Sequence, residues 1–65
     1  MTDKERLKFI VANRLRVSEV RAYKVRIGFV TEFHIDNDGD FVCAGKTYRQ
    51  AIDEAIRIND VMGGL

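Results

Sequence analysis

The chain changes its hydrophobic period twice, and each change marks an element. Thr2 with Glu5 three residues later is a capping box, so a helix is expected at once. Leu7, Ile10, Val11 and Leu15 then fall on one side at helical spacing, whereas Phe9 lies roughly opposite, among Arg6, Asn13 and Arg16. No Gly or Pro marks the stop, and the helix is expected to end near Arg14, with Ser18 and Glu19 in a connector. From Tyr23 the period becomes two. Tyr23, Val25, Ile27, Phe29, Phe33 and Ile35 point one way, and Lys24, Arg26, Glu32 and His34 the other, as in a half-buried strand with one solvated face. Gly28 and Val30 interrupt the polar side, and Gly28 is a candidate bulge or bend.

Asp36-Asn37-Asp38-Gly39-Asp40 is a turn. A three-residue loop over 37–39, with Gly39 left-handed, sets Ile35 opposite Phe41 and Phe33 opposite Cys43, apolar on apolar. A loop one residue shorter or longer would send Phe41 outward, so the three-residue loop is preferred. Gly45 ends the second strand, and Thr47 with Gln50 is another capping box. Tyr48, Ala51, Ile52, Ala55, Ile56, Ile58 and Met62 make a broad helical stripe, with Arg49, Asp53 and Arg57 as an i,i+4 ladder on the solvent side. Ala51 and Ala55 would let this helix lie close on a sheet, and Gly63 is its natural cap.

The expected fold is α+β in the order α-β-β-α, or α-β-β-β-α if the long strand folds back at Gly28. In either case a small antiparallel sheet is covered on one face by two helices. An unbroken strand from Tyr23 to Ile35 would run about 40 Å, far longer than Asp40–Ala44 can pair. Its surplus must bend, pair with a segment near Val17–Ala22, or pair with another molecule.

Sixty-five residues form one compact domain, 1–65, and such a chain buries only about 60% of its unfolded surface. With one cysteine, Cys43, no disulfide supports that small core, and a partner or a second copy is the expected remedy. The lone cysteine and the lack of an apolar leader point to a reduced, cytoplasmic protein. No segment approaches the roughly 18 apolar residues of a membrane span. Charge is unevenly placed. Residues 1–26 carry eight basic against three acidic side chains, and residues 27–65 three against seven.

No reaction is spelled by these residues. Asp36, Asp38 and Asp40 suggest a calcium loop, but Phe41 and Thr47 stand where the EF-hand pattern needs Gly and Glu. His34, the only histidine, lacks the companions of a triad or a metal site. Cys43 has no His beside it to lower its pKa and reads as a small buried hydrophobe. Gly45-Lys46-Thr47 lacks the upstream glycine of a phosphate loop. No cofactor, metal site or catalytic residue is expected.

The basic half leaves more to explain. Arg6, Phe9 and Arg16 share a helix face, and Lys24 and Arg26 a strand face. Nucleic-acid binding would need these to merge into one patch with stacking groups. The order α-β-β-β-α matches a double-stranded-RNA-binding domain in outline. That domain's basic cluster at the start of the last helix is missing, however, since Thr47, Tyr48, Arg49 and Gln50 stand there.

The run Gly45-Lys46-Thr47-Tyr48-Arg49-Gln50-Ala51-Ile52, followed by Ala55, resembles the HicB-type antitoxin domain. That family shows Gly-x-Thr-x-x-Glu-Ala-Leu and a further Ala after a pair of strands. Gln50 replaces the Glu, and the family's Asp-Leu-Pro-Gly-Cys turn and DNA-binding segment have no counterpart here. The resemblance implies a non-catalytic domain that neutralises a protein through its sheet, and phage-encoded inhibitors of host enzymes are of similar size and build. The expected function is a non-enzymatic interaction protein that binds and inhibits a protein partner and self-associates as a homodimer. Nucleic acid is the alternative partner. The expected contact residues are Arg6, Phe9 and Arg16 on the helix side, with Lys24, Arg26, Val30 and His34 on the open sheet face.

Overall fold

A computed structural model describes residues 2–63. The order is helix α1 (Asp3–Ala12), strands β1 (Leu15–Lys24), β2 (Gly28–Asn37) and β3 (Asp40–Gly45), and helix α2 (Tyr48–Met62). The three strands form one antiparallel sheet in the order β1-β2-β3, so the fold is α+β with the pattern α-β-β-β-α.

The Thr2 hydroxyl accepts the Glu5 N–H at 3.2 Å and opens α1. The stop comes at Asn13, whose side-chain amide donates to the Phe9 carbonyl at 2.9 Å. Arg14 then takes φ +53°, the left-handed position usually given to glycine. That tight joint starts β1 at Leu15, so Ser18 and Glu19 lie within a strand and not in a connector. Their segment does not read as a strand because its apolar phase slips. Leu15 and Val17 lie on the helix side, but Val20 and Ala22 lie on the other.

The long alternating segment reverses at 25–27. Ile27 N–H donates to the Lys24 carbonyl at 3.1 Å, and Gly28 re-enters the ladder at φ +89°. Ten consecutive pairs, from Leu15↔Asn37 to Lys24↔Gly28, join β1 to β2 without a bulge. The second hairpin differs from expectation. Its loop is the two-residue Asp38-Gly39, both at positive φ as a type I′ turn requires, and Asn37 pairs with Asp40. Phe41 consequently faces Asp36 and turns outward, 62% exposed. A bulge at Val42 restores the phase, so Ile35 meets Cys43 and Phe33 meets Gly45. The bulge lets the chain use the favoured short turn and still bury Cys43.

The core is Leu15, Ile35, Cys43, Ala51 and Ala55, with Phe9, Ile10, Val17, Phe33, Val42, Ile52 and Ile58 packed around it. Ala51 and Ala55 let α2 settle on the sheet. A Cβ at Gly45 would lie 2.5 Å from the Ala51 backbone nitrogen, which is why that joint is a glycine. Thr47 caps α2 by accepting the Gln50 N–H at 3.1 Å, and Gln50 Oε1 accepts the Lys46 N–H at 3.2 Å. Gly63 closes the helix at φ +75°.

The i,i+4 ladder on α2 is replaced by bonds between the helices. Arg6 donates from two nitrogens to both Asp53 oxygens, at 2.8 and 3.0 Å, and from the third to Asp3 at 2.9 Å. Arg49 grips the same Asp3 at 3.1 and 2.9 Å. Arg57 pairs with Glu54. No helix among the described residues is long and apolar enough to cross a membrane.

Candidate interaction surface

The expected contact residues fall into two groups. Phe9 and Arg6 belong to the fold. Phe9 packs against the core because α1 presents Phe9 and Ile10 inward and leaves Leu7 and Val11 outward, at 64% and 69% exposure. The Arg6 side chain is only 14% exposed and is spent on Asp3 and Asp53. The off-stripe Phe9 is therefore not an exposed anchor, and Arg6 is not its free rim.

The second group gathers on the sheet face away from the helices. Arg16, Lys24, Val30 and His34 share that face with Val20, Ala22 and Glu32, as the alternation of β1 and β2 requires. Glu32 sits between Lys24 and His34, with Nζ and Nε2 each 3.5 Å from its oxygens. Arg16 stands at the other end, opposite Asp36. Arg26 is exposed at the tip of the first hairpin. β3 ends opposite Phe33 while β2 continues to Gly28, which leaves a notch of about 570 Å³ lined by Lys24, Ile27, Val30, Glu32 and Ala44.

Three aromatic residues were absent from the expected surface. Phe41 lies on the open face with its ring 5.4 Å from that of His34. Tyr23 and Phe29 are on the helix side, but beyond the reach of the helices, at 64% and 66% exposure. Their rings meet edge to face at 5.2 Å, and the Arg21 guanidinium lies 5.3 Å from the Phe29 ring centre. Val25 and Ile27 extend this apolar tip at 87% and 72% exposure. The Asp-Gly dipeptide signalled the turn that exposes Phe41, but period-two alternation alone could not show where helix cover ends.

The helix side also holds a groove of about 690 Å³ between α1 and the start of α2. Val17 forms its floor, and Leu7, Ile10, Tyr48 and Ile52 its apolar walls.

Cys43 is buried, its thiol donates to the Ala51 carbonyl at 3.3 Å, and burial pushes its pKa up, with the charge of Glu54 adding to the effect. A neutral, enclosed thiol is a poor nucleophile. Among the described residues, no group of three His, Cys, Asp or Glu side chains is placed to hold a metal ion. What the surface offers is apolar area with a charged rim.

Comparison with protein-family models, with curated proteins and with solved structures finds no match for this chain. The likeness to the HicB-type domain rests on Gly45–Ala55 alone.

Proposed function

We propose that this is a non-enzymatic interaction protein that binds a protein partner through its open sheet face and inhibits it, acting in the cytoplasm and as a self-associated unit. The observation that carries the reading is the composition of that face. Val20 and Val30 are diagonal neighbours on β1 and β2, and the exposed Phe41 stands against His34 toward the other end of the face. Arg16 and Lys24 on β1, with Arg26 at the hairpin tip, supply the charge around them. An aromatic anchor within a charged rim is the usual anatomy of a binding hot spot. The HicB-like joint at Gly45–Ala55 agrees with a domain that works through its sheet. The test is capture of partners from the native cell by the wild-type chain and by Val30→Asp and Phe41→Ala variants. A protein retained by the wild type and released by both variants supports the reading. Retention unchanged in both variants would sink it.

Nucleic acid is a second reading, favoured by one arrangement: Arg21, Tyr23 and Phe29 form a stacking surface beside Lys24 and Arg26. A salt titration separates the two. Phosphate contacts give a steep, linear loss of log affinity with log salt, and Phe29→Ala would then weaken binding more than Phe41→Ala.

A further inference from the structure

We propose that two copies of this chain join through their β1 edges in an antiparallel, two-fold arrangement centred on Val20. Each copy then places its hairpin tip beneath helix α1 of the other. This rests on the self-association proposed above and gives it an edge and a register; the partner bound on the open face is tested separately, by capture.

β1 is ten residues long, unbulged, and paired on one side only. A long regular edge of this kind is a template for strand addition unless something blocks it. The Lys24 carbonyl points into its own hairpin, where it accepts from Ile27. By strand alternation the N–H and C=O groups of Val17, Glu19, Arg21 and Tyr23 then point outward.

Symmetry narrows the register sharply. Residues directly opposite must share a face, so in a two-fold antiparallel pair one residue must face itself. Centring on Glu19 opposes two carboxylates, and centring on Arg21 opposes two guanidinium groups. Centring on Ser18 sets Leu15 against Arg21 and Val17 against Glu19. Centring on Ala22 sets Val20 against Lys24. Only Val20 as centre matches like with like: Val20 faces Val20, Val17 faces Tyr23, Ser18 faces Ala22, and Glu19 faces Arg21 twice. Neither Glu19 nor Arg21 forms an ion pair within the described residues, and Arg21 lies against the Phe29 ring with no carboxylate partner. Within β1 the one unfavourable pair is Arg16 with Lys24; Arg14 and Arg26 fall opposite beyond the strand ends, in the turns. Lys24 has Glu32 at 3.5 Å, and Arg16 lies opposite Asp36, so carboxylates flank both.

The same register explains the exposed apolar side chains on the helix side. Tyr23 of one copy lies beside Val17 of the other, the floor of the groove walled by Leu7 and Ile10. Val25 follows opposite Leu15, below α1, where Leu7 and Val11 are exposed. Tip and groove are each incomplete alone, and the two-fold axis completes both at once.

Sedimentation analysis of the full chain into the high-micromolar range should give a dimer; a monomer throughout would overturn the proposal. Glu19→Arg should weaken association about tenfold or more, since two attractive pairs become repulsive. Glu19→Arg with Arg21→Glu should restore it. Failure of the double variant to recover the dimer would refute the register. Cross-linking tests the centre directly in a Cys43→Ala background. Val20→Cys should oxidise to a covalent dimer, because directly opposed Cα atoms fall within disulfide range. Ser18→Cys and Ala22→Cys should link when mixed and not when oxidised separately. Self-linkage of either one alone would place the axis elsewhere.

Discussion

The two ends of the β1–β2 hairpin are built from the same kinds of residue and meet opposite fates. At one end Ile35 is fully buried, with Leu15, Cys43, Ala51 and Ala55 around it. At the other, on the same face, Tyr23 and Phe29 are about two-thirds exposed. Helix reach separates them, not hydrophobicity. Alanines at 51 and 55 and a glycine at 45 bring α2 down onto β3 and the lower part of β2, and α1 is tied to α2 and the start of β1. The upper half of this hairpin of two ten-residue strands has nothing above it among the described residues. In so small a chain, apolar side chains left outside the core are better explained by what they touch than by what they stabilise.

Truncating one apolar side chain at each end of the hairpin tests whether helix cover alone sets these fates. Ile35→Ala should cost about 3–4 kcal/mol, enough to unfold much of a marginal domain. Phe29→Ala should cost less than about 1 kcal/mol in the isolated chain. Urea denaturation at low concentration, where any dimer dissociates, measures both, and equal losses would show that the tip belongs to the core. Gly45→Ala comes next. Its methyl group must push α2 off the sheet, at a cost of about 2–3 kcal/mol, read by the same titration. Arg14→Gly should raise stability by about 1 kcal/mol, because it relieves a left-handed residue with a Cβ. No such gain would mean that Arg14 is held by contacts other than its turn.

The smallest effect concerns the clamp between the helices. Asp3 is held below the ordinary carboxylate range chiefly by its hydrogen bond from Arg49, and Asp53 by its bonds from Arg6. Their stabilisation is therefore fully present above the unfolded value of about 3.9 and lost as pH falls through the lower folded values. Both carboxylates are solvated, so the slope should be shallow. Arg6→Gln should flatten it further in a series of thermal melts below neutral pH.

Much of the fold was legible because it is written in local chemistry. Both capping boxes, the left-handed Gly39, the glycine at 45 and the alanine pair on α2 act within a few residues of themselves. β1 was legible only as one alternative, a segment near Val17–Ala22 for the long strand to pair with, because its apolar residues change face at Glu19. A strand shows clean alternation only when one face is buried along its whole length, and this one is covered at one end. The surface was half legible. Lys24, Val30 and His34 lie together because alternation fixes which side they take. Phe9 and Arg6 were misplaced because the packing of Phe9 against the core and the bonds from Arg6 to Asp53 involve α2, some forty residues away in the chain. Phe41 was misplaced because the loop is the two-residue Asp38-Gly39 turn, and the bulge at Val42 that restores the phase for Cys43 leaves no mark in the sequence period.

The uninterrupted β1–β2 ladder also has a mechanical meaning. Ten residues at roughly 3.3 Å span about 33 Å, close to the 36 Å long axis of the whole molecule. The hairpin is thus a lever with one end clamped in the core and the other free. A load applied at Phe29 travels along the backbone of β2, without a bulge to absorb it, until it reaches Ile35. Whatever grips the tip pulls directly on the largest side chain that the fold buries completely.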